Sequence, residues 1–247
     1  MKKLTIYSIL GVVLLSVTSC YKTDNWAAPD VRVHGRVIDS YTGENLLSSQ
    51  NDWSIRIWER SWTGTAEPTS QNLAVKQDGS YNNSKLFAGT YDMLPYGGPF
   101  WPVTDTVKNV SFNGTTEQDF TVTPYLQLID FETSLDGLNL TMKCRLKAPI
   151  RTGLPNLVEI KPFLSLTTFC GAGANSNIDI AEYSNKRIQI NKSWQDEVGD
   201  SETSNVYTIG PLPVKAGYTY YVRLGANVND ANRKYNYTEI VRVDVPR

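Results

Sequence analysis

The sequence predicts an all-β protein of two β-sandwich domains in tandem, and three observations carry that reading. Apolar and polar residues alternate with period two in stretch after stretch from Val31 to the end, the signature of half-buried strands. Helical spacing never holds over a useful window. Clusters of turn residues separate the stretches, and Pro124 divides them into a first unit, 30–124, and a second, 125–247.

Two short segments precede the sandwiches. Met1, Lys2 and Lys3 form a positive start, Leu4 to Leu15 an apolar run, and Val17-Thr18-Ser19 leads with small residues into Cys20. A plain signal peptide needs small residues at its cleavage site but no cysteine after them. A cysteine placed here marks a bacterial lipoprotein, cut before Cys20 and acylated on its sulfur. The run of about a dozen apolar residues is too short to cross a bilayer as a helix. Residues 1–19 therefore read as a lipoprotein signal peptide, Cys20 as the lipidation site and 20–29 as a polar tether.

Removing 19 of the 247 residues leaves 228, enough for two ordinary domains. The mature chain then carries 22 Lys and Arg against 25 Asp and Glu, a net charge of −3. No basic excess is available to neutralise phosphates, which argues against nucleic acid as a partner. No later apolar stretch is long enough to span a membrane, so the membrane is a partner through the lipid anchor only. Cys144 and Cys170 fall on core-facing positions; in an extracytoplasmic setting they either form a disulfide or pack as free thiols. Metal ligation would need more Cys and His than this chain has, and no cofactor is expected.

In chain order, Val31, Val33, Gly35 and Val37 share one face of the first strand, with Arg32, His34 and Arg36 on the other. Asp39 to Gly43 supplies a turn. The segment from Ser54 to Arg60 alternates again, with Ile55 and Ile57 inward and Trp53 on their side. Gln77 to Ser80 is a turn, and Leu86 to Met93 and Phe120 to Val122 read as strands. In the second unit Leu138, Leu140, Met142, Cys144 and Leu146 alternate with polar residues. Val158, Ile160, Leu164 and Leu166 continue the theme, as do Ile188 and Ile190. Tyr218, Tyr220, Val222 and Leu224 form one face, opposite Thr219, Tyr221 and Arg223, and Tyr235 to Val245 alternates to the end.

Several motifs carry a family likeness. His34-Gly35-Arg36-Val37-Ile38-Asp39 with Thr42-Gly43-Glu44 and Leu46, then Asp78-Gly79-Ser80-Tyr81 and Phe87-Ala88-Gly89-Thr90-Tyr91, resembles a carboxypeptidase-regulatory, or transthyretin-like, sandwich. That domain is a non-catalytic accessory. Leu212 followed by Gly217-Tyr218-Thr219-Tyr220-Tyr221-Val222-Arg223-Leu224 looks like the F-strand region of a fibronectin type III domain, with Tyr220 at the tyrosine-corner position. The combination of the lipobox, the first unit with Tyr96-Gly97-Gly98-Pro99-Phe100-Trp101-Pro102, and the second unit ending in Tyr235-Asn236-Tyr237 resembles a family of uncharacterised lipoproteins, a domain of unknown function. Its members are encoded beside SusC/SusD-like pairs in the polysaccharide-utilisation loci of gut commensals. The resemblance implies an outer-membrane, cell-surface accessory that captures glycan for a SusC/SusD-like transporter complex. One departure bears on the side of the membrane: Tyr21-Lys22-Thr23-Asp24 offers a single acid where surface-exported lipoproteins carry a cluster, so periplasm-facing anchoring stays open.

A glycan site needs exposed Trp or Tyr rings to stack on the C–H faces of sugars, with polar neighbours for the hydroxyls. Trp58 is predicted to point outward with Arg56 and Arg60, because Ile55 and Ile57 point in. Trp62 follows in a loop, and Tyr96, Phe100 and Trp101 lie in a loop stiffened by Pro95, Pro99 and Pro102. The tentative ligand-binding set is thus Trp58, Trp62, Tyr96, Phe100, Trp101 and Arg56. Against it stands the ordinary behaviour of large aromatic rings, which plug sandwich ends and fill domain interfaces. Trp194 has no assigned role.

No catalytic constellation is evident, and the chain is read as a non-enzyme. Asp196, Glu197, Asp200 and Glu202 cluster on a polar stretch, whereas a glycosidase needs two carboxylates across a cleft. Asn227, Asn229, Asp230 and Asn232 lack calcium-loop spacing. His34, the single histidine, has no nucleophile-elbow sequence to serve. Asp105-Thr106-Val107 matches a short O-glycosylation sequon. The alternative to glycan capture is a structural, non-sugar-binding component docked on the transporter complex.

Overall fold

The computed structural model describes residues 28–62, 67–173 and 177–247. The first sandwich is built from β1 (Val31–Asp39), β2 (Ser54–Glu59), β3 (Gln71–Ala74), β4 (Ser80–Leu86), β5 (Gly89–Tyr96), β6 (Val107–Phe112), β7 (Thr115–Glu117) and β8 (Phe120–Val122). One sheet has the order β4-β1-β7, with β8 also on β1; the other has the order β3-β2-β5-β6. Burial alternates strictly along β1 and β2, so that Val31, Val33, Val37, Ile55 and Ile57 meet in the core. The stacked rings of Tyr91 and Phe112, with centroids 4.1 Å apart, belong to the same core.

Leu86 to Met93 is not one strand. Phe87 and Ala88 lie between β4 and β5, which belong to different sheets, so the apolar run crosses from one layer of the sandwich to the other.

The second sandwich contains β9 (Gln127–Asp136), β10 (Asn139–Lys147), β11 (Leu157–Ser165), α1 (Ala181–Ser184), β12 (Ile188–Lys192), α2 (Trp194–Glu197), β13 (Tyr207–Pro213), β14 (Thr219–Val228), β15 (Tyr235–Tyr237) and β16 (Val241–Asp244). Its sheets run β13-β10-β9 and β12-β11-β14-β15, with β16 also on β14. Leu140, Met142, Cys144 and Leu146 alternate inward along β10, against Tyr220, Val222 and Leu224 of β14. The Tyr220 hydroxyl accepts a hydrogen bond from the Lys215 backbone N–H at 3.1 Å, which pins the turn before β14. Ser193 caps α2 by accepting from the Asp196 N–H, and Trp194 is buried with its indole N–H donating to the Ser201 carbonyl at 2.9 Å.

β14 departs from the expected alternation. Arg223, predicted on its polar face, is 1% exposed. The reason is a second burial layer: the face bearing Arg223 meets the first sandwich. One guanidinium nitrogen donates to the Ser48 carbonyl at 2.7 Å, and the group lies 3.6 Å from the centre of the Tyr237 ring. Burial lowers the Arg223 pKa from its ordinary value, opposed by Tyr237 and Cys170. Around it, Gln77 bonds to Thr168 and Cys170, Ser49 accepts from the Gly173 N–H, and Asn236 bridges the Pro99 carbonyl and the Leu126 N–H. Lys234 and Asp52 form an ion pair of 2.8 Å at the edge of the same seam. Gly171 has φ of +137°, and a Cβ there would collide with the Arg223 guanidinium and lie 2.8 Å from the Ser49 hydroxyl.

The two thiols are free, so the disulfide alternative falls. Cys144 lies within the second sandwich, whereas Cys170 belongs to a separate cluster with Phe163 and Tyr237 at the seam. Burial pushes both thiols up to about 12, opposed in Cys170 by Arg223.

The seam and the thiols are open to direct test. Arg223→Ala, by leaving a cavity and an unbonded Ser48 carbonyl, is expected to lower stability in urea by about 3 kcal/mol. Gly171→Ala should cost about 2 kcal/mol through strain and overpacking. A thiol reagent at pH 8 should label neither Cys144 nor Cys170 in the folded protein, and both after denaturation.

Candidate functional site

The outer face of the β3-β2-β5-β6 sheet gathers most of the aromatic and cationic candidates. Ile55 and Ile57 point into the core, which turns Ser54, Arg56 and Trp58 outward on β2. The antiparallel register sets Tyr96 of β5 opposite Ser54, Leu94 opposite Arg56 and Asp92 opposite Trp58. On the other side, β3 places Asn72 opposite Arg56, and the Ser54 hydroxyl donates to Asn72 Oδ1 at 3.2 Å.

Tyr96 is 45% exposed, and the Arg56 guanidinium lies flat over its ring, 3.3 Å from the centroid. Stacking of this kind occupies the plane of the guanidinium and leaves its edge N–H groups free to donate. Trp58 is half-buried one row beyond Arg56. The Tyr96 and Trp58 rows are therefore separated by about 13 Å along the strand.

A fixed loop follows β2. The buried Glu59 carboxylate accepts from the Ser61 N–H at 2.7 Å, the Ser61 hydroxyl and the Trp62 N–H at 2.9 Å. This clamp holds Trp62, 52% exposed, against Phe87 with ring centroids 5.2 Å apart. Arg60 donates to Asp92 and Glu67, both at 2.8 Å, and these two hydrogen bonds raise its pKa further above the ordinary range.

Phe100 and Trp101 leave the candidate set. Phe100 is 4% exposed and packs edge-on against Trp53 in the first core, with 5.1 Å between centroids. Trp101 packs on the core of the second sandwich, against Tyr125. The segment holding Pro99 and Pro102 instead runs into the seam: the Trp101 N–H donates to the Thr123 carbonyl and the Tyr125 N–H to the Pro99 carbonyl. Cys20 lies outside the described residues.

Other sequence candidates find structural partners. Glu197 accepts from Tyr207 and pairs with Lys192, and Asp196 accepts from Ser193. Asp230 accepts from the Arg233 N–H, while Asn229 accepts from the Arg233 side chain, so this loop is bonded to itself. Among the described residues no group of three or more His, Cys, Asp or Glu is placed to hold a metal ion. Sequence reasoning missed Asp92, Leu94 and Asn72 as neighbours of Trp58 and Arg56, because cross-strand register is not written in any single strand. The alternation of β5 was the available signal. In residues 28–247, Trp62→Phe is expected to remove more acrylamide-quenchable tryptophan fluorescence than Trp53→Phe or Trp194→Phe.

The N-terminal-domain model of the DUF3823 proteins of unknown function matches residues 31–123, and the companion C-terminal-domain model matches residues 126–242. No curated protein matches the chain. Among solved structures, a Bacteroides uniformis protein described as a "putative carbohydrate binding protein" is similar over 88% of this chain and 100% of its own, at 24% identity and a TM-score of 0.68. DUF3823 family proteins from Bacteroides uniformis and Parabacteroides merdae are similar over the same shares of both chains. The first is 21% identical with a TM-score of 0.70, the second 20% identical with a TM-score of 0.64. The two-sandwich arrangement is thus one this chain has in common with its relatives, and across both of its domains the chain belongs to the DUF3823 family.

Proposed function

We propose that this protein is a non-catalytic, lipid-anchored accessory at the outer membrane that binds glycan for a SusC/SusD-like transporter. The observation that carries the reading is the half-exposed row of Tyr96, Arg56 and Trp58 on one rigid sheet, extended by Trp62. Flat rings on a β-sheet offer a preorganised surface to sugar C–H faces, and side chains fixed before binding lose little entropy on it. The Bacteroides uniformis protein described as a "putative carbohydrate binding protein" supports the same class of ligand. The lipobox at Cys20 supports the anchor, and the likeness to lipoproteins encoded beside SusC/SusD-like pairs supports the partner.

A broad glycan array probed with the folded chain tests the reading. A hit is expected, and Tyr96→Ala and Trp58→Ala should each weaken it about tenfold or more, as loss of a central aromatic contact does. Neither ring belongs to a buried core cluster, so melting temperatures should stay near that of the unaltered protein. A blank from folded protein across plant and host glycans would overturn glycan binding and leave a docking component of the transporter. Incorporation of labelled palmitate, abolished by Cys20→Ala, is the expected result for the anchor.

A further inference from the structure

We infer that the outer face of the β2–β5 sheet takes an anionic sugar residue, a uronic acid or a sulfated sugar, with its acidic group held by Arg56. The inference rests on the glycan-binding reading and narrows it to a substrate class.

Charge bookkeeping on the face points there. Arg60 is neutralised by Asp92 and Glu67. The Arg56 side chain has neither an ion pair nor a hydrogen bond among the described residues and lies over the Tyr96 ring. Lys108, exposed on β6, likewise forms no ion pair among the described residues. Val107 and Val110 pack toward the core on either side of it. Two uncancelled cations therefore sit on one sheet face of a chain whose mature net charge is −3. A guanidinium already flattened on an aromatic ring has lost much of its rotamer freedom. Its edge presents paired N–H donors in the geometry that a carboxylate or sulfate accepts. Trp58, one row along, offers a ring to the same or the next sugar unit.

Other parts of the surface do not combine these features. A cleft of about 350 Å³ in the second sandwich also sets a cation beside rings, with Lys161 5.4 Å from the centre of the Phe163 ring, but Asp179 lines the same space, Phe163 and Tyr183 are almost wholly buried, and the half-buried Tyr235 is bonded to the Glu159 carboxylate. On the opposite sheet of the first sandwich, Arg32 donates to Asn82 and Arg36 pairs with Asp119, with Glu117 between them.

The test compares polygalacturonate, hyaluronan and chondroitin sulfate with methyl-esterified polygalacturonate, galactan and dextran, by affinity electrophoresis and calorimetry on the folded chain. Binding to an acidic glycan is expected, weakened about ten- to a hundredfold by Arg56→Gln, the scale of a lost charge-assisted hydrogen bond. Arg56→Lys should restore only part of it. Arg32→Gln, on the other sheet, should leave it unchanged, and the binding should fall with added salt. Equal binding of neutral and acidic glycans, or acidic binding indifferent to Arg56→Gln, would overturn this inference while the glycan-binding reading stands. No binding to any glycan, acidic or neutral, would overturn both.

Discussion

Arg223 has to find hydrogen-bond acceptors without water, and it finds them only where the two sandwiches meet. A guanidinium is costly to bury unless its donors are satisfied. Here a backbone carbonyl of the first domain and an aromatic ring of the second take part of that task, and the Nε–H is left without an acceptor among the described residues. The surrounding geometry is set to receive it: Gly171 withholds a side chain, Ser49 fixes the 171–173 turn through the Gly173 N–H, and Cys170 packs beside it. The relative placement of the two domains thus depends on a group whose displacement would leave charge and carbonyl unpaired together.

The same seam decides which aromatic residues remain for a ligand. The 96–102 segment begins on the outer face of β5 and ends in the interface within a few residues. Tyr96 stays outside under Arg56, while Phe100 and Trp101 are drawn into the two cores. A glycine pair makes the change of direction feasible. Gly97 has φ of +75°, and a Cβ on Gly98 would strike the Phe100 ring.

How much of this was legible in the sequence follows from what alternation can encode. The inward residues of β1, β2 and β10, the core position of Trp53 and the backbone bond of Tyr220 could be read directly, because one strand and one core are enough to fix them. Trp58 and Arg56 could be placed outward by the same logic. Arg223 could not, since it is buried by the other domain, whose docking leaves no period in the local sequence, and Phe100 and Trp101 lie outside any strand, where alternation does not apply. The crossing at Phe87 and Ala88 was hidden for a related reason: an apolar run reads the same whether it stays in one sheet or passes between two. The uncancelled state of Arg56 and Lys108 needed the positions of every neighbouring acid, and these only the fold supplies.

The absence of slack between the sandwiches has a thermodynamic consequence. β8 ends at Val122 and the second core already includes Tyr125, so almost no free chain separates the two halves. Halves joined this closely, with buried polar contacts across the joint, lose their mutual partners as soon as either one opens. Cooperative unfolding then spans both. A ligand bound solely to the first sandwich would raise the midpoint of the whole chain, by an amount set by its concentration relative to its dissociation constant. Occupancy on one sheet would therefore be felt as protection of the most distant strand of the other domain.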